Sequence, residues 1–414
     1  MHHVLSLAGV LIAFCTALWL PTDAWSGTGA IDSVVDIAIP AALGAHEPSL
    51  VSHDGEIYIS WIEHDRGQTK VMMAIGSNQT WSEPQIAHKG DDLLVNWADF
   101  SSISVFPDGT IAIHWLREIG SSSFDYRVEI ALSRDRGVSW TEPLIPHTDR
   151  SFSQHGFVSL LPAGQDRMLI VWLDGRAYGR GEGGAIMLPD AMQLRATTLS
   201  SRGTLGDDVV IDQQTCSCCQ TSMAATKDGT ILVAYRDRTE GEIRDISVAR
   251  MTKEGWQPSV IVHEDGWELA GCPVNGPAVS AYEDAAAVAW FTGADDIAAV
   301  KVAFSDDEGR SFANTSRIDA GNPIGRVDIE MLTSDTAIVS WVEWIDGEEA
   351  LMICHVDKKS GCTAPEVFAT NAGLASINFP KMARLDQEIY IAWTQPDGSV
   401  DRLAMRRATL VNMD

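Results

Sequence analysis

An all-β fold of repeated four-stranded sheets is predicted by three observations. A strand–turn–strand unit ending in an aromatic residue recurs along the chain, apolar and polar positions alternate with a period of two inside each copy, and no long amphipathic helical stretch interrupts the series. The copies are PSLVSHDGEIYISW ending at Trp61, SISVFPDGTIAIHW at Trp115, FVSLLPAGQDRMLIVW at Trp172, SMAATKDGTILVAY at Tyr235, AVSAYEDAAAVAW at Trp290, DIEMLTSDTAIVSW at Trp341 and KMARLDQEIYIAW at Trp393. Their aromatic ends are separated by 54, 57, 63, 55, 51 and 52 residues. Each unit continues into a third strand, such as KVMMAIGS (70–77) or VEIALSRD (128–135), and a short fourth, as in WSEPQIA (81–87) and WTEPLIP (140–146). Four antiparallel strands per unit at this period predict a β-propeller. Seven blades are expected; six is the alternative, should one copy be an irregular insertion. The seventh copy supplies only three strands, the last at 401–410. The segment VVDIAIP (34–40) is the expected fourth, an N-terminal strand that closes the ring and removes a raw sheet edge.

Ahead of the repeat, Val4 to Leu20 is almost wholly apolar and is followed by Pro21-Thr22-Asp23-Ala24. This reads as a signal peptide over residues 1–24, leaving 25–414 as a single propeller domain in the periplasm or outside the cell. No later stretch is long and apolar enough to span a bilayer, so no membrane association is expected after cleavage. The 414 residues carry 30 Lys+Arg against 57 Asp+Glu, a net charge of −27. That balance excludes nucleic acid as a partner, because phosphates demand a basic surface. Apolar residues at 45% and charged residues at 21% are ordinary for a folded protein.

Two turns carry a more specific pattern. Ser133-Arg134-Asp135-Arg136-Gly137-Val138-Ser139-Trp140 fits S-x-D-x-G-x-x-W, the Asp-box, and Ser305-Asp306-Asp307-Glu308-Gly309-Arg310-Ser311-Phe312 repeats it with Phe for Trp. Both fall between a third and a fourth strand. On these residues the chain resembles the sialidase, or BNR-repeat, superfamily of β-propellers. The resemblance implies a structural turn, closed by the Asp side chain on backbone N–H groups, on the face opposite the active site. It also implies a catalytic set: an early arginine in an R-I-P motif, a tyrosine nucleophile with a glutamate partner, and an aspartate acid/base. Here Ala45-His46-Glu47-Pro48-Ser49 stands where that arginine belongs, and after Tyr282 only Tyr390 remains, inside a core strand. The fold implied by the resemblance is therefore expected without its catalytic set. Sialidase-type glycoside hydrolysis stays an alternative, as does a carbohydrate- or protein-binding propeller with structural disulfides.

In a propeller the segments leading into first strands, and the loops after second strands, build one face around the channel. The lead-in segments here include His46-Glu47, Trp97-Ala98-Asp99-Phe100, Gln154-His155, Cys216-Ser217-Cys218-Cys219-Gln220, Cys272-Pro273-Val274-Asn275, Arg326-Val327-Asp328 and Asn378-Phe379. Four cysteines thus converge from neighbouring blades. One expectation is oxidation, with Cys216 or Cys218 bridged to Cys272 and the remaining pair bridged in turn. The sharper one is a metal site made by Cys216, Cys218, Cys219 and Cys272, with His155 as the nearest nitrogen ligand and His46 a more distant one. Soft thiolates select copper(I) or zinc. Cys216-Ser217-Cys218-Cys219 does not match a zinc finger's spacing, which makes copper the preferred metal and zinc the alternative.

Cys354 lies in a third strand and Cys362 just before a fourth, flanking one turn, and a disulfide is expected between them. Asp99, Arg176, Arg236 and Arg238 are candidate ligand-binding groups; Arg236, Arg238 and Arg244 could instead pair with Asp237, Glu240 and Asp245. Glu63 is a second possible acid near the channel. The glycine-rich run 175–184 is expected to form a rim loop, because no helix follows it to make a phosphate cradle. The function these residues predict is binding of a metal ion or small ligand at the cysteine-rich face, for handling or trafficking rather than turnover, with another exported protein as a further partner.

Overall fold

The computed structural model describes residues 30–65, 67–77, 80–177, 179–180, 186–187, 192–362, 364–371, 376–397 and 400–411. The expected signal peptide and, within the glycine-rich run, residues 178 and 181–184 lie outside the described residues. What is described of that run is a turn at Gly175 to Ala177 and a two-residue pairing of Gly179–Arg180 with Ile186–Met187.

Seven antiparallel sheets form the ring. Blade one runs His46–His53, Glu56–Asp65, Gln68–Ser77 and Gln85–Gly90 from the channel outward. Blade two has Ser102–Val105, Ile111–Glu118 and Tyr126–Ser133; its fourth position is reduced to a bridge between Ile130 and Leu144. Blade three is His155–Pro162, Met168–Asp174, Met192–Leu199 and Val209–Thr215. Blade four is Ser222–Ala225, Ile231–Arg236, Ile246–Thr252 and Gly255–His263. Blade five is Ala278–Tyr282, Ala285–Thr292, Ala299–Ser305 and Ala313–Arg317. Blade six is Pro323–Met331, Thr336–Ile345, Glu348–Asp357 and Glu366–Asn371. Blade seven takes Lys381–Leu385, Glu388–Asp397 and Val400–Leu410 from the C-terminus and Ile31–Asp36 from the N-terminus. The closing strand begins and ends earlier than the apolar run 34–40 predicts. Its register, with Ile31 opposite Leu410 and Asp36 opposite Arg406, hands over after Ile37 to a segment that leads into blade one. Among the described residues the one helical element is a 3-10 turn, Ala294–Asp296.

The alternation read in the sequence explains how the ring is held. Each inner strand is buried on both faces, so successive side chains enter different cores. From Glu56–Asp65, Ile57, Ile59 and Trp61 pack against blade seven, whereas Tyr58 and Ile62 pack against blade two. Among the described residues seven such clusters occur, and each joins one pair of adjacent blades, the last joining seven to one. The second-strand tryptophans Trp61, Trp115, Trp172, Trp290 and Trp341 are among the largest fully buried side chains. Three of them share a polar device: Trp61, Trp172 and Trp341 donate Nε1–H to the carboxylate two residues on, in Glu63, Asp174 and Glu343, at 2.7, 2.7 and 2.8 Å. Residues i and i+2 of a strand lie on one face, which makes the bond local.

The S-x-D-x-G turns join third to fourth positions in blades two and five. Asp135 accepts from Ser139 N at 2.8 Å, and Ser133 Oγ accepts from Gly137 N at 2.8 Å. Asp307 and Ser305 do the same for Ser311 N and Gly309 N at 2.9 Å each. Gly137 and Gly309 take φ values of 90° and 73°, which favour glycine.

Removing one of the interblade anchors should therefore destabilise the whole ring. Trp341→Ala is expected to lose about 3–5 kcal/mol of unfolding free energy in denaturant titration, the usual cost of truncating a buried tryptophan. A loss below about 1 kcal/mol would contradict the packing described.

Candidate functional site

At the channel mouth, side chains from the lead-in segments tie the blades together. Gln220 donates to Ala98 O at 2.6 Å and accepts from Gly276 N at 3.1 Å, linking blades two, four and five. Gln154 donates to Ser217 O at 3.2 Å, and Asn275 accepts from Arg326 N at 2.8 Å. Below them lies a cavity of about 200 Å³ lined by residues that include Asp99, Phe100, Thr221, Asp328 and Lys381.

The cysteine loop follows the last strand of blade three and runs alongside the end of strand Ile231–Arg236, with Cys216 N bonded to Arg236 O at 3.1 Å. Cys218 is joined to Cys272 by a disulfide with a Cα–Cα distance of 6.0 Å, stapling the lead-ins of blades four and five. Cys216 and Cys219 are free thiols, both buried, with their Sγ atoms 2.6 Å apart; Cys218 Sγ lies 3.9 Å from Cys216 Sγ. The two free thiols stand three positions apart, a Cys-x-x-Cys spacing inside the cluster that the reading of the sequence overlooked, so spacing does not speak against zinc. Cys354 and Cys362 are joined as well, with Cα atoms 6.1 Å apart across the hairpin.

Positive charge surrounds the thiol pair. Arg236 is 2% exposed, and its guanidinium donates to the carbonyls of Asn275, Arg244 and Phe291 at 2.8, 2.6 and 2.6 Å while stacking 4.9 Å over Trp267. Arg244 gives Nη2 to Glu242 at 2.6 Å, and its Nε and Nη1 are buried without a hydrogen-bond partner. Burial opposes ionisation of Cys216, yet the Cys219 thiol, the Cys218 backbone and the charges of Arg236 and Arg244 outweigh it and pull its pKa below the ordinary thiol value. Burial and the neighbouring Cys216 push Cys219 the other way. Of the two thiols, Cys216 is therefore the easier to ionise.

The structure divides the expected four-sulfur, one-histidine set. Cys218 and Cys272 are consumed by their disulfide, so they offer no thiolate. His155 does not join the sulfurs. Its ring is fully buried in a separate group, with Nδ1 against Ser153 O at 3.0 Å, Nε2 3.1 Å from Asp149 and 3.6 Å from Asp174, and its face stacked on His147 at 3.8 Å. Strand alternation is the reason, because neighbouring side chains leave on opposite sides: Gln154 reaches the mouth and His155 turns into the buried group. His46 lies 3.6 Å from Glu47 and 5.3 Å from the His64 ring.

The candidate ligand-binding groups are likewise occupied. Arg176 binds Asp174 and Asp208, Arg238 binds Glu242, and Glu63 accepts from Trp61 and from Ala42 N. The arginines at 236, 238 and 244 therefore form a buried network through carbonyls and Glu242 rather than pairs with Asp237, Glu240 and Asp245. At the position of the missing family arginine, Glu47 is buried and its pKa is raised by that burial.

Asp99 is 2% exposed and accepts from Phe157 N at 2.6 Å and Tyr126 Oη at 2.9 Å. Burial raises its pKa to about 7, against the lowering effect of those two donors. Its partner Tyr126 is pushed well above the ordinary phenol by burial and by Asp99. Sequence reasoning missed Tyr126, Gln220 and the thiol-facing role of Arg244. The signal that could have marked the free pair was the Cys-x-x-Cys spacing of Cys216 and Cys219.

No family model and no curated protein matches the chain. Solved structures do match it in fold. A polysaccharide lyase of the ulvan lyase family PL25 superposes with a TM-score of 0.55 at 11% identity, over 91% of this chain and 93% of that one. The phage phi92 endosialidase gives 0.52 at 11% identity, over 93% of this chain and 70% of its own. A protein of unknown function from Dyadobacter fermentans gives 0.52 at 13% identity, over 91% and 98%. What is shared at these identities is the fold.

Asp99 yields a pH test. Its folded-state pKa lies above the unfolded value near 4, so the folded chain holds an extra proton between about pH 4 and about pH 7, and stability falls as pH rises through that window. Asp99→Asn should flatten that part of the stability profile relative to wild type. Parallel profiles from pH 4 to 7 would contradict the assignment.

Proposed function

We propose that the channel mouth is a soft-metal site that holds copper(I) between Cys216 and Cys219, in an exported protein that carries or buffers the ion rather than turning over a substrate. The observation that carries this reading is the pair of buried, unbridged thiols in Cys-x-x-Cys spacing. Soft thiolates favour copper(I), and two ligands suffice for it, whereas structural zinc sites take four. With Cys218 and Cys272 bridged and His155 turned away, the sulfur group has no four-ligand set among the described residues. Two thiolates and one monovalent cation leave a net charge of −1. The buried guanidinium of Arg236 and the unpartnered N–H groups of Arg244 supply the balancing charge. Binding requires both sulfurs to be deprotonated and to move apart from 2.6 Å. Export is supported by the apolar run 4–20 and by the two disulfides, which persist in oxidising compartments.

A second reading has its own observation. Trp97 is 43% exposed at the same mouth, stacked on Phe379 at 5.8 Å, with the Arg326 guanidinium 5.2 Å above it and Lys381 over Phe100. An aromatic platform beside cationic groups suits an anionic sugar chain, and the fold neighbours named above include proteins described as a polysaccharide lyase and an endosialidase.

Anaerobic competition with a chromophoric copper(I) chelator separates the two. Wild type should take one ion per chain, and Cys219→Ser should weaken binding on the order of a hundredfold or more, since a second tethered ligand acts at high effective concentration. A chain that never competes with the chelator, yet is retarded in a gel containing an anionic polysaccharide, overturns the copper reading in favour of the second.

A further inference from the structure

Four sulfur atoms meet at the mouth in two oxidation states. Cys216 and Cys219 are buried thiols, Cys218 is half-buried and Cys272 is exposed, and the last two share a disulfide. Cys216 Sγ is 2.6 Å from Cys219 Sγ and 3.9 Å from Cys218 Sγ, so one sulfur touches both partners of an exchange. Thiol–disulfide exchange needs a thiolate in contact with a disulfide sulfur and a leaving group able to depart. Cys216 Sγ already lies against the half-buried partner of the disulfide, and the exposed Cys272 can leave into solvent.

We propose that Cys216, Cys219, Cys218 and Cys272 form an internal thiol–disulfide relay, which moves one disulfide between the buried pair and the surface-reaching pair. In the first step the Cys216 thiolate attacks Cys218 Sγ. The Cys216–Cys218 bond forms, the Cys218–Cys272 bond breaks, and its electron pair leaves on Cys272, which takes a proton from water to replace the one Cys216 gave up. In the second step Cys219 surrenders its proton and attacks Cys216. The Cys216–Cys219 bond forms, the Cys216–Cys218 bond breaks, and Cys218 leaves as a thiolate and is protonated. Two thiols and one disulfide are present before and after, so no outside oxidant or reductant is consumed. Cys272 is the point at which an external small thiol or disulfide meets the chain, and the relay carries its two electrons to or from the buried pair. The exchanged isomer lacks the staple between the lead-ins of blades four and five and presents two thiols at the mouth. The relay needs no metal and stands independently of the copper reading, although bridging Cys216 to Cys219 would remove the proposed copper ligands.

The test uses the full-length protein, freed of metal with a chelator and poised by phosphine titration at two thiols among Cys216, Cys218, Cys219 and Cys272, with Cys15 and the Cys354–Cys362 bridge counted apart. Samples held anaerobically at pH 8 are quenched in acid, alkylated in denaturant and mapped by mass spectrometry without reduction. Wild type should contain both isomers, Cys218–Cys272 and Cys216–Cys219, in a ratio that stays constant with time. Cys219→Ser should stop after the first step and accumulate a Cys216–Cys218 bridge with Cys272 alkylated. Cys216→Ser should retain Cys218–Cys272 alone. A single wild-type isomer under these conditions, with no Cys216–Cys218 bridge in Cys219→Ser, overturns the relay. Circular dichroism of each variant shows that the propeller is intact, and copper(I) titration of the same samples reads the metal hypothesis separately.

Discussion

The inner edge of every blade has backbone N–H groups that its own sheet leaves unpaired, and the structure answers them with side chains from the neighbouring blade. Ser49 accepts from Ile103 N, Asp99 from Phe157 N, Ser222 from Val279 N, Ser280 from Met331 N, Asp328 from Met382 N and Thr394 from Glu47 N. At the remaining junction Ser159 and Thr221 bond each other and the facing carbonyls. The result is a belt around the channel with one link at each of the seven junctions. A buried hydrogen bond contributes only about 0.5–1.5 kcal/mol net, but an unpaired buried amide costs more than that, so the belt fixes how closely the inner strands approach. Hydrophobic clusters between the blades supply the bulk attraction, and the belt sets the register in which it is realised.

The contents of the mouth follow from that belt. With the inner strands locked, the lead-in segments have one place to go, and Gln220, Gln154 and Asn275 cross-link them there. Cysteines that are far apart in the chain are brought into contact, and Arg236 is buried among carbonyls beside them. The acidic residues of the channel take a different part. Asp99 and Asp328 are links of the belt first, and their raised pKa values record the burial that this position imposes. An acid in a propeller channel is therefore not by itself a catalytic acid.

Much of the fold was legible because its determinants are local and periodic. Seven copies with two-residue alternation forced strands, the recurring Trp marked the second strand of most blades, and the missing fourth strand of the last copy pointed to the N-terminus. The bounds of the closing strand were off because apolarity continues past Ile37, where the chain leaves the sheet and packs against blades one and seven as a lead-in. The site was less legible because it depends on which way side chains leave the backbone. His155 sits at the mouth by backbone position and points into a buried cluster with Asp149, Asp174 and His147. The pairing among Cys216, Cys218, Cys219 and Cys272 was a choice between oxidation and metal, and the structure takes the first for one pair and leaves the second pair unbridged. A Trp-x-acid pattern at 61–63, 172–174 and 341–343 was present in the sequence and explains why Glu63 and Asp174 serve the scaffold.

The central claim is that two sulfurs at the mouth, and no nitrogen, form the metal site. Copper K-edge X-ray absorption on protein loaded anaerobically with one equivalent of copper(I) tests it directly. The account predicts a copper(I) edge and a first shell of two sulfur atoms at one short distance, without the outer-shell scattering of an imidazole ring. A shell containing nitrogen, or three or more sulfurs, would contradict it, because either demands ligands that the disulfide and the turned-away His155 do not provide.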